Sequence, residues 1–271
     1  MNIAKKIIKS STVIGIALVA LSFSCSSNRN IVKANSKNPN NKFVQLSMDF
    51  LNEIKVGKDA NEIRKTLAEV SVDSLSAYLI TEEQKKAFWI NIYNGHIQLI
   101  LSEHPEYFED RGKFFGSKLF IIAQKSLSFD DVEHGIIRSS KFKLALGLIR
   151  NPFAGSYEKA LRTKKTDGRV HFALNCGAKS CPLVAVYDAK NFNQKIDEVA
   201  KSFLEKVTTY NADKNEVTTV TLFSWFRGDF GGKSGIIKFL KGYNLIPQDV
   251  KPSVEYSSYD WTLDLGNYYE K

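Results

Sequence analysis

Features that mark several common classes of protein are scarce in this chain. It has three cysteines and four histidines among 271 residues, and their spacing matches no standard zinc signature. Lysine and arginine form no block interleaved with aromatic residues, which argues against a nucleic-acid site. No apolar run after residue 24 is long enough to span a bilayer, and no internal repeat occurs. Metal, nucleic-acid and multi-span membrane classes are therefore not predicted, and no motif indicates a cofactor.

The first 24 residues have the composition of a signal peptide. Three lysines within the first nine residues precede an apolar stretch over 13–23, and a polar run follows Cys25. This order resembles a bacterial lipoprotein signal, in which a diacylglycerol is attached to the cysteine and the chain is cleaved before it. Ser22 departs from the leucine that is usual three positions before that cysteine. An ordinary cleaved signal is the alternative, but we expect a lipid on Cys25 and stable anchoring, since two acyl chains suffice.

Residues 25–41 are predicted to be a lipidated cysteine and a polar tether, and residues 42–271 a single globular domain. The segment 26–41 has almost no bulky apolar side chain and cannot bury a core. Without residues 1–24 the formal charge falls from +9 to +6, a mild surplus that marks no nucleic-acid site. No acidic cluster follows Cys25, and we expect a lipid-anchored, periplasm-facing position in the bacterial cell envelope. The expected partners are membrane lipid through Cys25 and an unidentified envelope substrate or protein.

Hydrophobic periodicity predicts an α+β domain with a buried central helix and a small, mainly antiparallel sheet. Thr81 and Gln84 have the spacing of a capping box, so a long helix is expected over 82–103. This helix is apolar nearly all round, which is typical of a buried helix, and its Asn91 and Asn94 are expected to orient a loop or a site group. Further helices are predicted over 43–54, 60–67, 129–139, 144–149, 157–161, 191–207 and 234–242, and strands over 170–175, 216–222 and 254–263.

The densest chemistry lies around Cys176. On a strand, His171 and Asn175 would face one side while apolar residues face the core. Cys176 would end that strand beside Gly177, which permits a tight turn and backbone amides for an oxyanion hole. His134, on a predicted helix, is the second candidate base. This set predicts a thiol-dependent hydrolase or acyl/peptidyl transferase, with Cys176 as nucleophile, His171 or His134 as base and Asn175 in the site.

Cys176 and Cys181 also allow a structural disulfide across a tight loop, which an oxidising compartment would preserve. The chain would then be a non-catalytic binding or scaffold lipoprotein, and both histidines would be structural. A thiol redox protein is a third option, disfavoured because four residues separate the cysteines instead of two.

Five motifs occur in an order that resembles bacterial members of the domain-of-unknown-function 547 family. They are AFWINIYN (87–94), LSFDDVEHGIIR (127–138), VHFALNCGAKSCPLVAVY (170–187), WFRGDFGG (225–232) and YDWTLD (259–264). The resemblance covers residues 80–264 and implies a cysteine-hydrolase-like activity. Because both histidines precede Cys176, such a site would be papain-like in permuted order. Asp229, in the fourth motif, is expected to cap or orient the glycine-rich turn that follows it.

Overall fold

The computed structural model describes residues 37–143 and 146–270, which form an α+β fold and confirm the predicted fold class. The α-helices are α1 (Lys42–Lys55), α2 (Asn61–Glu69), α3 (Val72–Tyr78), α4 (Glu82–Glu103), α5 (Arg111–Gly116), α6 (Ser156–Leu161), α7 (Phe192–Val207), α8 (Leu222–Trp225) and α9 (Gly232–Gly242). Short 3-10 helices cover Pro105–Asp110, Gly168–Phe172 and Arg227–Phe230, and a π-helix covers Asp131–Ile137. None of the helices in these two ranges is long and apolar enough to cross a membrane.

The strands form two small sheets. One is an antiparallel hairpin of β1 (Phe120–Ile122) and β2 (Lys125–Leu127). The other has three strands, β3 (Thr209–Asn211), β4 (Glu216–Thr219) and β5 (Ser253–Tyr256), with β4 in the middle. In this sheet β4 pairs antiparallel with β3 and parallel with β5, where Val217 lies opposite Val254. Two of these three pairings are antiparallel, as predicted.

The central helix α4 begins and is buried as the sequence predicts. The Thr81 hydroxyl accepts a hydrogen bond from the Gln84 amide at 3.1 Å, and the Gln84 side-chain oxygen accepts one from the Thr81 amide at 3.0 Å. This is the predicted capping box. Seventeen of the 22 residues of α4 are buried, so the helix can orient groups on all of its sides.

Two buried asparagines of α4 hold distant segments of the chain through their side-chain amides. Asn91 donates to the Tyr187 carbonyl at 2.8 Å and accepts from the Tyr187 amide at 2.9 Å. Asn94 donates to the Ala173 carbonyl at 2.8 Å and accepts from the Asn175 amide at 2.9 Å. The side-chain oxygen and nitrogen of both asparagines are satisfied, as burial requires. The prediction that one of them orients a loop is confirmed, because Asn94 fixes the chain just before Cys176.

The apolar side chains form two clusters. The larger one surrounds α4 and includes Val170, whereas the smaller one lies among α7, α9 and β4 and includes Phe172. The 3-10 helix Gly168–Phe172 therefore enters both cores. His171 lies between the residues that fill them, which restrains its position from both sides.

Residues 170–175 do not form the predicted strand, so this prediction is wrong. The first residues of this segment belong to the 3-10 helix Gly168–Phe172 and the rest are irregular. All six residues are buried, and a short alternating segment of this kind does not distinguish a strand from other buried segments. His171 and Asn175 consequently do not share the face of a strand.

Other element boundaries also differ from prediction. A helix was predicted over 144–149, but residues 146–149 are not helical. Leu146 and Gly147 form a turn with positive φ angles of 51° and 76°. Residues 144–145 lie outside the described residues. β4 ends at Thr219 because the chain then forms α8, and β5 ends at Tyr256, so only the first parts of the two predicted strands are observed.

The last residues of the predicted tether pack on the domain. The Asn41 side chain caps α1 and donates to the Tyr78 carbonyl at 2.8 Å. The Asn40 side chain accepts from the Ala189 amide at 2.8 Å, and the Asn38 carbonyl accepts from Gln84. The folded region therefore includes residues before the predicted boundary at 42. The predicted signal peptide and Cys25 lie outside the described residues.

Gly95 is expected to be required for the contact between α1 and α4. A Cβ on Gly95 would lie 2.8 Å from Cδ1 of Phe50, whose ring is fully buried. We expect Gly95→Ala to lower the free energy of unfolding by about 1–3 kcal/mol through overpacking. Urea denaturation followed by circular dichroism measures this change. Gly112→Ala is the matched control, because a Cβ there meets only the Asp110 carboxylate at 3.6 Å. Equal stability of the two variants would contradict the packing argument.

Candidate functional site

Three predicted site residues, Cys176, His134 and His171, line a single cleft of about 370 Å³. This volume lies toward the lower end of the range for small-molecule pockets, about 300–1,000 Å³. The rest of the lining is mostly apolar and aromatic with a few charged groups: Tyr93, Phe115, Asp130, Glu133, Lys143, Leu146, Leu174, Leu222, Trp225, Phe226, Tyr259 and Trp261. The fourth predicted residue, Asn175, does not line the cleft.

His134 lies on the π-helix Asp131–Ile137. The Arg138 amide donates to the Glu133 carbonyl at 2.8 Å, the five-residue spacing of a π-turn. At the start of this segment the Ser128 hydroxyl accepts from the Asp131 amide at 3.1 Å. A π-turn is frequent at functional sites because it widens the helix locally. The predicted helix is present, but its wider winding was not predicted.

A buried ion pair connects this helix to His171. Arg138 Nε donates to Asp229 Oδ2 at 2.6 Å, and both side chains are fully buried. His171 Nε2 lies 2.8 Å from the same carboxylate oxygen. A buried charge is tolerated only when it is paired and hydrogen-bonded, so these three groups depend on one another. Asp229 thus bridges two site residues, instead of orienting the glycine-rich turn as predicted.

The His171 imidazole is held on its flat face as well as at its edge. The Phe226 ring stacks on it with centroids 3.8 Å apart and 13° between the planes. Burial lowers the pKa of His171, an effect that the Asp229 carboxylate only partly offsets. The neutral ring therefore predominates at pH 7, and its Nε2–H donates to Asp229. Nδ1 has no hydrogen-bond partner among the described residues, so its lone pair is unoccupied.

His134 has a different environment. Its Nδ1 lies 2.7 Å from Arg138 Nη1, which is always a donor, so Nδ1 accepts this hydrogen bond. Its Nε2 lies 3.4 Å from the Asp130 carboxylate. Both nitrogens of His134 therefore face other protein groups. Burial raises the pKa of Asp130, but hydrogen bonds from His134 and Lys143 outweigh this and leave it below the usual value.

The cysteine loop places two thiols side by side. The sulfur atoms of Cys176 and Cys181 lie 2.6 Å apart, and both cysteines are free in this structure. The Cys176 amide donates to the Cys181 sulfur at 3.0 Å, and the Tyr259 hydroxyl lies 3.5 Å and 3.2 Å from the two sulfurs. Gly177 follows with a φ of 88°, a conformation that favours glycine. Among the described residues, the Cys176 thiol forms hydrogen bonds with Cys181 and Tyr259 and with neither histidine.

The Asn175 side chain binds the backbone of this loop and does not line the cleft. Its side-chain oxygen accepts from the Gly177 amide at 2.9 Å, and its amide nitrogen donates to the Pro182 carbonyl at 2.8 Å. It therefore joins the two ends of the loop that carries both cysteines. Asn175, predicted as part of the catalytic set, thus holds the cysteine loop and lies outside the cleft lining.

The two thiols differ in acidity. The hydrogen bond with Cys181, together with burial, raises the pKa of Cys176 well above its usual value. Burial also raises the pKa of Cys181, but hydrogen bonds from Cys176 and Tyr259 outweigh it and leave the pKa of Cys181 below the usual value. Cys176 is therefore a neutral thiol in the resting site.

Sequence reasoning missed Arg138, Asp229 and Tyr259 as site residues. Each lies within a motif that carries the family resemblance, and Arg138 follows His134 by four residues, one helical turn. No local pattern shows that Arg138 and Asp229, 91 residues apart, form a pair. Across residues 37–143 and 146–270, no group of three or more His, Cys, Asp or Glu side chains is arranged to hold a metal ion.

Residues 78–204 match the model of a family described as a protein of unknown function, DUF547. This segment contains Cys176 and both histidines of the cleft, together with the neighbouring Cys181, whereas Asp229 lies beyond its end. Neither the curated proteins nor the solved structures contain a match to the chain. The match covers 127 of the 271 residues, and over that segment the chain is similar to the DUF547 family.

Proposed function

We propose that this chain is a membrane-anchored cell-envelope protein that acts as a thiol-dependent hydrolase or acyl/peptidyl transferase. Cys176 is the nucleophile and His171 the base. The observation that carries the proposal is that the Cys176 thiol and an imidazole held by a buried carboxylate line the same cleft. A nucleophile, a base and a group that orients the base are the recurring parts of such sites.

The hydrogen bonds of the two histidines favour His171 as the base. Its Nε2–H is bound to Asp229, which fixes the tautomer with a lone pair on Nδ1. His134 instead uses its Nδ1 lone pair to accept from Arg138. The Cys176 thiol contacts Cys181 and Tyr259, and catalytic hydrogen bonds commonly tighten only when substrate binds.

In the proposed reaction, His171 Nδ1 removes the thiol proton as the Cys176 sulfur attacks a carbonyl carbon. The carbonyl π electrons move to oxygen, and collapse of this intermediate expels the leaving group, which takes the proton from His171. The product is a thioester on Cys176. Water or an amine then attacks the thioester, His171 accepts its proton, and the Cys176 thiolate leaves and is reprotonated.

The electrostatics favour proton transfer during attack over a preformed thiolate. The pKa of Cys176 is raised and that of His171 is lowered, so the resting pair is neutral thiol and neutral imidazole. The Tyr259 hydroxyl also keeps its proton, because burial raises its pKa, and it is a donor beside the sulfur.

We expect p-nitrophenyl acetate to acylate Cys176, with His171 as the required base. Intact-mass analysis should show one acetyl group on the chain and none on Cys176→Ala. His171→Gln should slow acylation by about 10²–10⁴-fold, the usual contribution of a general base. His104→Gln is the matched control, because His104 is an exposed histidine outside the cleft. Equal rates for His171→Gln and the control would exclude His171 as the base.

The pH dependence of acylation tests the same assignment. The reactive form has a neutral His171, whose pKa lies below its usual value of about 6.5. The rate should therefore be constant from pH 8 to pH 6.5 and fall only at lower pH, as the imidazole becomes protonated. A rate that instead rises continuously toward pH 10, and is the same in His171→Gln, would indicate direct attack by the thiolate.

The alternative function is a non-catalytic binding or scaffold lipoprotein with a Cys176–Cys181 disulfide. It is favoured by the 2.6 Å separation of the two sulfurs, which requires little movement to form the bond. In that case mass spectrometry of the non-reduced periplasmic protein should show the linked peptide. Reduction should remove about 2 kcal/mol by loop entropy, which lowers the melting temperature by about 4–8 °C. A Cys176 that is free and reacts with iodoacetamide would exclude this form.

The proposed anchor rests on residues 1–25 alone. The order of basic start, apolar stretch and cysteine supports a lipid on Cys25. In a bacterial host supplied with an alkyne analogue of palmitate, the wild-type chain should become labelled and Cys25→Ala should not. Cys181→Ala is the control for labelling at another cysteine. Equal labelling of the wild type and Cys25→Ala would overturn the proposed anchor.

A further inference from the structure

Residues 142–143 and 146–153, here together named the rim loop, concentrate the exposed apolar side chains of the described residues. Of nine large apolar side chains exposed within the described residues, five lie in this loop. They include Leu148, Ile149 and Phe153, which are 66%, 57% and 87% exposed. Single exposed apolar residues are ordinary, but several this close together in the chain are typical of an interaction surface.

Backbone hydrogen bonds fasten the rim loop at the residues that flank its described parts. Lys141 and Arg150 form an antiparallel bridge at its base, and the Phe142 amide donates to the Ile149 carbonyl at 3.1 Å. The Gly228 amide donates to the Leu146 carbonyl at 2.7 Å, which fastens the loop to the segment that carries Asp229. The exposed apolar side chains are therefore presented by a loop that is anchored at two places.

Basic residues border the same surface. Arg150 Nη2 donates to the Lys164 carbonyl at 3.1 Å, which places exposed Lys164 and Lys165 beside the rim loop. Lys143 within the loop pairs with Asp130 at 2.8 Å, whereas Arg150, Lys164 and Lys165 form no ion pair among the described residues and supply the free positive charge. Apolar groups flanked by cations fit a surface with anionic headgroups above an apolar interior.

We propose that the rim loop docks on an anionic lipid surface. Leu148, Ile149 and Phe153 insert among the lipids, and Lys164 and Lys165 face the headgroups. Lys143 and Leu146 line the cleft, so docking places the cleft mouth at the lipid surface. The proposal does not depend on the chemistry of Cys176, nor on a lipid at Cys25.

Co-sedimentation with vesicles tests this proposal. A chain lacking residues 1–25, which keeps every described residue, is mixed with vesicles of phosphatidylcholine alone or with one third phosphatidylglycerol. We expect binding to the anionic vesicles, at least tenfold weaker for the double variant Leu148→Ser/Phe153→Ser. Lys164→Ala/Lys165→Ala should weaken binding by about fivefold for each lysine and reduce its dependence on salt.

The matched control is Val56→Ser, which removes an apolar side chain that is 63% exposed and lies outside the rim loop. It should bind as the wild type does, and circular dichroism should show the same melting temperature for all variants. Absence of binding at low salt, equal binding of Leu148→Ser/Phe153→Ser and wild type, or equal binding to both kinds of vesicle would overturn the proposal. A dimer in analytical ultracentrifugation that Leu148→Ser/Phe153→Ser abolishes would also overturn it, by assigning the loop to contact between copies.

Discussion

The ion pair of Arg138 with Asp229 is the constraint on which the cleft depends. Both side chains are fully buried, and separating them would leave an uncompensated charge in the interior. The same carboxylate binds His171, and the same guanidinium binds His134. One charge pair thus sets the positions and tautomers of both histidines, which come from segments that are far apart in the sequence.

The rim loop takes part in this arrangement through Gly147. A Cβ on that residue would lie 2.8 Å from Cγ of Asp229 and 3.0 Å from Nη2 of Arg138, and its φ of 76° favours glycine. The backbone of the loop therefore covers the ion pair directly and shields it from water. Shielding strengthens the attraction between the two charges, and the outer side of the same loop carries the exposed apolar groups.

The cysteines are positioned separately, by hydrogen bonds that begin at a side-chain amide of helix α4. Asn94 binds the chain at Ala173 and Asn175, and Asn175 in turn joins the ends of the cysteine loop. These amides satisfy buried backbone groups that no sheet reaches, which is why an irregular segment can lie inside the domain. The cleft lies between the asparagine hydrogen bonds and the Arg138–Asp229 ion pair. The asparagines fix the Cys176 thiol, and the ion pair fixes the His171 imidazole.

The parts of the fold that sequence could predict are those determined by local pattern. The capping box at Thr81 and the burial of α4 on all sides depend on residues that are close in the sequence, and both are observed. The 170–175 segment could not be predicted in the same way, because its alternation arises from burial in two different cores. Cys176, His134 and His171 could be selected by their chemistry, whereas Asp229 acquires its role only through a contact across 91 residues with Arg138. That contact is a property of the tertiary structure and has no local signature.

The acidities of the site decide what kind of thiol chemistry the cleft suits. A preformed thiolate–imidazolium pair needs a raised histidine pKa and a lowered cysteine pKa, and the shifts of His171 and Cys176 are the reverse. The low pKa belongs to Cys181, whose sulfur receives hydrogen bonds from the Cys176 amide and from Tyr259. A negative charge on Cys181 would disfavour one on Cys176, because two anions this close repel each other. In the proposed reaction, the contact that keeps Cys176 neutral therefore leaves the proton in place until a base removes it, and Nδ1 of His171 is the nitrogen proposed to do so because its lone pair is free.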